Sequence, residues 1–393
     1  MEKAAFADRM RDLGGDVVAN MFALTEKADI ISFGGGMPSP DALPVEQLRV
    51  LADEILRTSG KQILQYSTID GYGPLRDLLA RMVADQGIKA RRENVLVISG
   101  GQQGIDLASK TFLNPGDCVL VERPTYLAAL TIFKTYEVEF QSVVSDEQGI
   151  IPESFEEAIK RYNPKMLYVV PTFQNPTGVT MPVERRKAIA EIAGKYGVMV
   201  LEDDPYARLR YDGEPVPAIA SYDTNDVVIH VSSFSKIISP GLRLGYAVAS
   251  PEIKAKLTQG KQTTDFHSNN LSQRLIYEFC SRGMLEPHLE AIKKAYMVKR
   301  DAALRAMERY FPDGVRWTRP DGGLFVWVTL PEHIDTTELI KHAAERKVAF
   351  IPGVPFFFDD SGKNTMRINF SNASLDMLDE GLNRLGMVIR EAI

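Results

Sequence analysis

Residues 227–246 read VVIHVSSFSKIISPGLRLGY. The stretch opens on a β-branched run, Val227, Val228, Ile229 and Val231, broken only by His230. So short and apolar a run suits a strand buried on both faces of a sheet. It then turns polar at Ser232, Ser233, Ser235 and Lys236, and Arg243 follows. Open α/β sheets place ligands just past the carboxyl ends of such strands. An amine there, beside hydroxyl donors and a fixed cation, suits a phosphorylated carbonyl compound. The amine can form a Schiff base while the other groups hold the phosphate. A single lysine in a Ser-rich loop is more often plain surface, so the rest of the chain has to decide.

Working outward, short apolar runs recur at Val95–Ile98, Val119–Val121, Met166–Val170, Val198–Leu201 and Tyr246–Ala249, with helical segments between them. Strands alternating with helices imply crossover connections and a mostly parallel sheet. The segment Val183–Tyr196 is one such helix. Pro182 opens it, Ile189, Ile192, Ala193 and Tyr196 form its apolar face, and Gly197 ends it. Further helices are expected over Pro44–Arg57, on the face carrying Leu75, Leu78, Leu79 and Met82, and over Pro287–Phe311. Beyond the last of these the pattern changes. FVWVTL and MRINF read as strands, and Glu338–Arg346 and Leu375–Ile389 as helices, the latter with Ser374 as N-cap. The expected organisation is a large α/β domain over 47–285 and a smaller α+β domain made of 1–46 and 286–393.

The bulk numbers exclude several classes. The chain has 393 residues, 45% hydrophobic and 25% charged, with a net charge of −6. That balance is ordinary for a protein with a large core, and it argues against nucleic acid or an anionic membrane as the main partner. No run reaches the ~18 apolar residues of a membrane span, and the N-terminus lacks a signal-peptide core. The two cysteines, Cys118 and Cys280, form no CxxC pair and fit a reduced, cytoplasmic setting. The five histidines show no metal-ligand spacing, so no metal site is expected. A dinucleotide fingerprint, a P-loop and a G-x-S-x-G elbow are all absent.

The segments just past each strand carry the chemistry. After Val95–Ile98 comes SGGQQG and then a helix, a turn whose free N–H groups can receive an anion. After Val119–Val121 comes ERPTYLAAL, placing Tyr126 at the same edge, where it is either core or a stacking ring for a planar cofactor. After Met166–Val170 comes PTFQNPTG, in which Asn175 can present an amide. After Val198–Leu201 comes EDDPY, and carboxylates at a strand end are costly to bury without a partner. A protonated ring nitrogen would resolve that cost. In ISFGGGMPSPDALP, Gly34 to Gly36 offer a backbone that a ligand can approach closely.

Taken together, these motifs resemble the fold-type I, pyridoxal-phosphate-dependent aminotransferases of class I/II. Within them the chain is similar to the group of 2-aminoadipate, aromatic and branched-chain aminotransferases, whose domain recurs in MocR-type regulators. The resemblance runs over nearly the whole chain, through ISFGGGMPSPDALP, YSTIDGYGPLR, SGGQQGIDL, PTYLAAL, PTFQNPTG, EDDPY, SSFSKIISPGLRLGY, DGGLFVW and NTMRINFS. It implies a large domain with a mostly parallel, seven-stranded type of sheet, pyridoxal 5'-phosphate as cofactor, and a homodimer with shared sites. By the same resemblance, Lys236 would hold the cofactor and act as base. Asp203 would pair with the ring nitrogen, Asn175 and Tyr206 with the ring hydroxyl, and Tyr126 would stack on the ring. Gly101, Gln102, Ser233, Ser235 and Arg243 would bind the phosphate, and Tyr66 would reach that of the neighbouring subunit. Arg367 would clamp the substrate α-carboxylate, with Gly36 against the substrate. SGG stands where the group often has a third hydroxyl residue, so Gly101 would offer only its N–H. Glu202 and Asp204 read as solvated or structural carboxylates.

The implied activity is transfer of an amino group from an L-amino acid to a 2-oxo acid, with 2-oxoglutarate as acceptor, in a ping-pong cycle. A β-lyase or decarboxylase on the same fold, and a non-catalytic MocR-like sensing module, are the alternatives. The donor pocket is expected from the N-terminal helix, the segment Thr264 to Asn270, and the loop Val354 to Phe358. There Phe356, Phe357 and Phe358 suggest an apolar or aromatic donor unless they are core. Arg9 or Arg11 could instead suit a dicarboxylate.

Overall fold

The computed structural model describes residues 6–10, 13 and 29–393. Most of the amphipathic N-terminal stretch, Arg11 included, lies outside the described residues; of the rest, Arg9 is exposed and Leu13 lines the cavity described below.

In chain order the larger part comprises α1 (Val45–Ile63), α2 (Gly73–Met82), β1 (Val95–Ile98), α3 (Gly101–Phe112), β2 (Cys118–Val121), α4 (Leu127–Lys134), β3 (Glu139–Ser142), α5 (Pro152–Tyr162), β4 (Met166–Val169), α6 (Val183–Tyr196), β5 (Met199–Asp203), β6 (Val228–Ser233), β7 (Gly245–Val248), α7 (Pro251–Gln262) and α8 (Asn270–Ser281). The seven strands form one sheet in the order β1-β7-β6-β5-β4-β2-β3. All neighbours run parallel except β7, which is antiparallel to both β1 and β6. The α/β class and the mostly parallel seven-stranded sheet are therefore as expected. The edge strand β3 escaped sequence reading because its residues, EFQS, are polar apart from Phe140 and none is fully buried.

Every residue of β6 is buried. Alternate residues face opposite sides of a strand, and the two sides join different cores. Val231 and Ile229 pack with Val119, Val121, Tyr168 and Leu201, whereas Val228 packs with Leu120, Leu167, Val169 and Val200. Burying one such side chain is worth roughly 1.5–3 kcal/mol, and a one-residue slip would reverse the faces. The register of β6, and with it the position of Ser233 and Lys236, is fixed by that burial.

The long helix α9 (Leu285–Tyr310) joins two cores. Leu285, Leu289, Ile292 and Tyr296 belong to the core of the large sheet, and Ala303, Ala306 and Met307 to a second core. The second core lies under β8 (Arg316–Trp317), β9 (Phe325–Thr329), α10 (Thr336–Glu345), β10 (Ile351–Pro352), β11 (Thr365–Asn369) and α11 (Leu375–Ala392), with the small sheet ordered β8-β9-β11-β10. Ser374 caps α11, its Oγ accepting from Met377 N at 3.3 Å, and Leu378, Leu382, Leu385 and Ile389 are buried, as the sequence predicts. Helix α1 runs beyond the expected end at Arg57. Ser59 is non-helical (φ −137°), yet the helix resumes and buries Ile63. No described helix is long and apolar enough to cross a membrane.

Candidate active site

A cavity of about 620 Å³ opens beyond the carboxyl ends of the parallel strands. Gly36, Gly101, Gln102, Tyr126, Asn175, Asp203, Tyr206, Ser233, Ser235, Lys236, Arg243 and Arg367 all line it. Twelve positions spread from 36 to 367 thus meet in one space, within the usual range for small-molecule sites, ~300–1,000 Å³. Tyr66 is the exception: it is 80% exposed, outside the cavity, with its ring edge-on to Phe266 and His267.

Lys236 Nζ donates to the carbonyl of Gly36 at 2.8 Å. Burial pushes its ammonium down to about 8; Arg367 and Arg243 push the same way and Asp203 opposes them. Asp203 ends β5 on the face shared by Tyr168 and Leu201. Burial pushes its carboxyl up to about 6, against a hydrogen bond of 2.7 Å that its Oδ2 accepts from Tyr168 Oη. A cation in the cavity would favour the ionised carboxylate. Burial also raises the hydroxyls of Tyr126, to about 12, and Tyr206, so both stay neutral donors.

Arg367 is 2% exposed. Its Nη1 donates to Asn175 Oδ1 at 2.8 Å and its Nη2 to Gly34 O at 2.7 Å, and its Nε has no hydrogen-bond partner among the described residues. The guanidinium lies 4.2 Å from the ring centre of Phe325 and 5.1 Å from that of Phe356. Burial depresses its pKa to about 10, which leaves it charged. A planar cation held by two bonds, on a residue that lines the cavity, is ready for a carboxylate.

At the other end, α3 begins at Gly101 directly after β1. Gly100 has φ +93°, and a Cβ there would lie 2.8 Å from Arg243 Nη2. The turn therefore needs glycine for its backbone and for the approach of the guanidinium. Ser233 Oγ donates to Ser235 Oγ at 2.8 Å beside it. Helix N–H groups, two hydroxyls and an arginine make a site for a dianion. Amine, carboxylate and anion cradle around one cavity fit pyridoxal 5'-phosphate, whose reactive groups are an aldehyde, a ring nitrogen and a phosphate. Among the described residues no group of three or more His, Cys, Asp or Glu side chains could hold a metal ion.

Some expectations need correction. Glu202 and Asp204 are not solvated: they are 0% and 2% exposed. Glu202 accepts from the backbone N–H of Ile219 and Ala220 and lies 3.1 Å from His230 Nδ1, while Asp204 accepts from Gln86 Nε2. Both face the opposite side of the sheet from Asp203, so they serve structure. The expected donor-pocket segments 264–270 and 354–358 do not line the cavity of this chain. Phe356 is fully buried against Trp327, and Phe358 stacks on Phe140.

Several contributors were not anticipated. Leu127, Ala128, Thr131 and Ile132, one face of α4, form an apolar wall with Met37. Their spacing after Tyr126 was the available signal. Tyr168 was readable only as a buried tyrosine whose hydroxyl must find a partner. Glu122, pushed up to about 8 by burial, accepts from Val170 N at 2.9 Å and ties the segments bearing Tyr126 and Asn175 together.

The family model for aminotransferases of class I and II matches residues 28–385. An aromatic-amino-acid aminotransferase of Thermococcus litoralis is 40% identical over 98% of this chain and 94% of its own. The crystal structure of a multiple substrate aminotransferase from Thermococcus profundus superposes with a TM-score of 0.93 at 40% identity, covering 98% of both chains. That of an α-aminoadipate aminotransferase from Thermus thermophilus, complexed with N-(5'-phosphopyridoxyl)-L-leucine, gives 0.92 at 37% identity, over 98% of this chain and 97% of that one.

Proposed function

Since the chain belongs to the class I and II aminotransferases, we propose that it moves the amino group of an aromatic, branched-chain or 2-aminoadipate-type L-amino acid to 2-oxoglutarate in a ping-pong cycle. It is an aminotransferase and its cofactor is pyridoxal 5'-phosphate. When bound, the cofactor supplies an aldehyde for amine exchange and a conjugated ring that accepts the electron pair released at the substrate Cα.

The twelve expected residues of the cavity each have a part in this reading. Lys236 Nζ holds the cofactor. The same amine, when free, would be the base that takes the substrate Cα proton, and its depressed pKa, about 8, suits that task. Asp203, steadied by Tyr168, keeps the ring nitrogen protonated. Asn175 and Tyr206 would hydrogen-bond the ring hydroxyl and Tyr126 would stack on the ring. Gly101, Gln102, Ser233, Ser235 and Arg243 would receive the phosphate. Arg367 clamps the α-carboxylate, with Gly36 against the substrate. The observation that carries the reading is the convergence of Lys236, Asp203 and Arg367 on one cavity.

The apolar wall of Leu127, Ala128 and Ile132 supports an aromatic or aliphatic donor side chain, in line with the names of the relatives. The exposure of Tyr66 supports its reaching the site of a second subunit in a homodimer. The two cores joined by α9 support a large domain over 47–285 and a small one from 1–46 and 286–393. The free thiols of Cys118 and Cys280 support a reducing, cytoplasmic setting.

The test is the half-reaction. L-Phenylalanine, L-leucine or L-2-aminoadipate, added singly without an oxo acid, should bleach the visible band of the holoenzyme, and 2-oxoglutarate should restore it. A band unmoved by every donor would overturn the proposed donor class. Ammonia with pyruvate as products would favour lyase chemistry instead.

A further inference from the structure

A polar cluster built around one buried lysine lies behind the anion cradle. Lys261, at the end of α7, is 0% exposed. Its Nζ donates to Asp265 Oδ1 at 2.8 Å, to Asp265 Oδ2 at 3.0 Å and to Gln103 Oε1 at 2.7 Å. The same two acceptors also grip Ser99. Gln103 Oε1 accepts from the Ser99 backbone N–H at 2.8 Å, and Asp265 Oδ2 accepts from Ser99 Oγ at 2.8 Å. Ser99 Oγ also lies 3.1 Å from Ser268 Oγ. The carbonyl of Ser99 faces outward and accepts from Arg243 Nη2 at 3.5 Å. Ser99 is thus held at its N–H by Gln103 and at its hydroxyl by Asp265, the two partners of the buried Lys261 ammonium. It passes that constraint to Gly100, to the first turn of α3 and to Arg243.

A buried ammonium is costly unless paired and hydrogen-bonded, and a stability role alone needs only the pair. Here both partners spend further bonds on one residue, the residue that leads into the phosphate turn. We propose that Lys261 and Asp265 are positioning residues for cofactor phosphate: through Gln103 and Ser99 they fix the Gly100–Gln102 backbone and the Arg243 guanidinium in the geometry that receives it. The inference rests on the reading that this turn and Arg243 bind the phosphate. The same segment continues through Phe266 and His267, which meet Tyr66, to Ser268, whose carbonyl accepts from Gln273 Nε2 at 2.9 Å.

The test compares pyridoxal 5'-phosphate with pyridoxal, which lacks the phosphate. Each is titrated by absorbance into the apo forms of the wild type, Asp265→Asn, Ser99→Ala and Arg243→Gln. Ser99→Ala leaves the Lys261–Asp265 pair and the Ser99 N–H bond to Gln103 intact and removes the hydroxyl link to Asp265 alone, so it answers even where Asp265→Asn fails to fold. Loss of a hydrogen bond to a charged group predicts a Kd for pyridoxal 5'-phosphate raised about tenfold in both, with the Kd for pyridoxal within about twofold of wild type. Asp265→Glu should recover part of the loss. If both variants weaken the two ligands equally, or weaken neither, while Arg243→Gln is selective for the phosphorylated one, the positioning role is wrong. If Arg243→Gln is itself unselective, the phosphate reading falls, and this inference with it.

Discussion

Tyr168 donates its hydroxyl to Asp203 across two neighbouring parallel strands, with an Oη to Oδ2 distance of 2.7 Å. Tyr168 is paired in register with Leu201, so Asp203, two residues on, shares its face of the sheet. Burial alone would protonate Asp203 far more readily; the tyrosine holds part of that rise in check. The carboxylate therefore meets the cavity already oriented and with one oxygen occupied.

Tyr168→Phe removes that bond while keeping the ring that packs in the core. A hydrogen bond to a charged group is worth ~1.5–3 kcal/mol. On the proposed role of Asp203, kcat/KM should fall by about ten- to a hundredfold. Steady-state kinetics beside a thermal melt reads this out. A full-activity Tyr168→Phe would show that Asp203 needs no such support.

Arg367→Lys keeps a positive charge and loses the planar fork, its bond to Asn175 or to Gly34, and its stacking on Phe325. The expected result is a rise in KM for both amino acid and oxo acid, with kcat/KM down by at least about tenfold, and an unchanged visible spectrum. An altered spectrum with normal KM would place the arginine at the cofactor instead.

The sheet was legible because its strands are buried on both faces and so read as apolar runs, as Val228–Ser233 does until its last two residues. The site was legible for a related reason. Its residues follow strand ends, and Lys236, Asp203 and Asn175 each stand at a chemically abrupt change in the sequence. Contacts between distant segments were not. Nothing near Lys261 announces that Gln103 and Ser99, far earlier in the chain, complete its hydrogen bonds. Glu202 and Asp204 look like Asp203 in sequence, and only strand alternation with the partners supplied by His230, Ile219 and Gln86 separates their roles. The phenylalanines at 356 to 358 read equally as pocket or core because composition carries no direction; packing against Trp327 and Phe140 decides it.

Gly100→Ala should weaken cofactor binding with little effect on the rest of the fold. Its φ of +93° is unfavourable for any side chain, and the new Cβ would sit 2.8 Å from Arg243 Nη2. Strain of this kind costs ~1–3 kcal/mol; relieved by a shift of the turn and of Arg243, it is lost from binding as a Kd for pyridoxal 5'-phosphate raised roughly five- to a hundredfold. Titration of the apo protein measures it, and an unchanged Kd would mean that the turn does not carry the phosphate.

The depressed pKa of Lys236 gives a pH signature. Only the neutral amine can attack an aldehyde, so capture of pyridoxal 5'-phosphate by the apo protein should speed up as pH rises and level off above about 8, well below the 10.5 of an ordinary lysine. Linkage gives the matching sign for stability. Between about 8 and 10.5 the unfolded chain binds a proton that the folded apo protein has lost, so this group's contribution to apo stability rises with pH across that window. Stopped-flow absorbance across pH tests the first expectation and apo melting the second. A capture rate still climbing near 10 would contradict both.

The most direct test of the whole account is to identify the residue that carries the cofactor. Borohydride reduction of the holoenzyme, proteolysis and mass spectrometry should find the phosphopyridoxyl group on the peptide containing Lys236 and on that lysine alone. Label on another lysine, or an unlabelled Lys236 in fully reduced holoenzyme, would contradict the reading of the site from which every other role is argued.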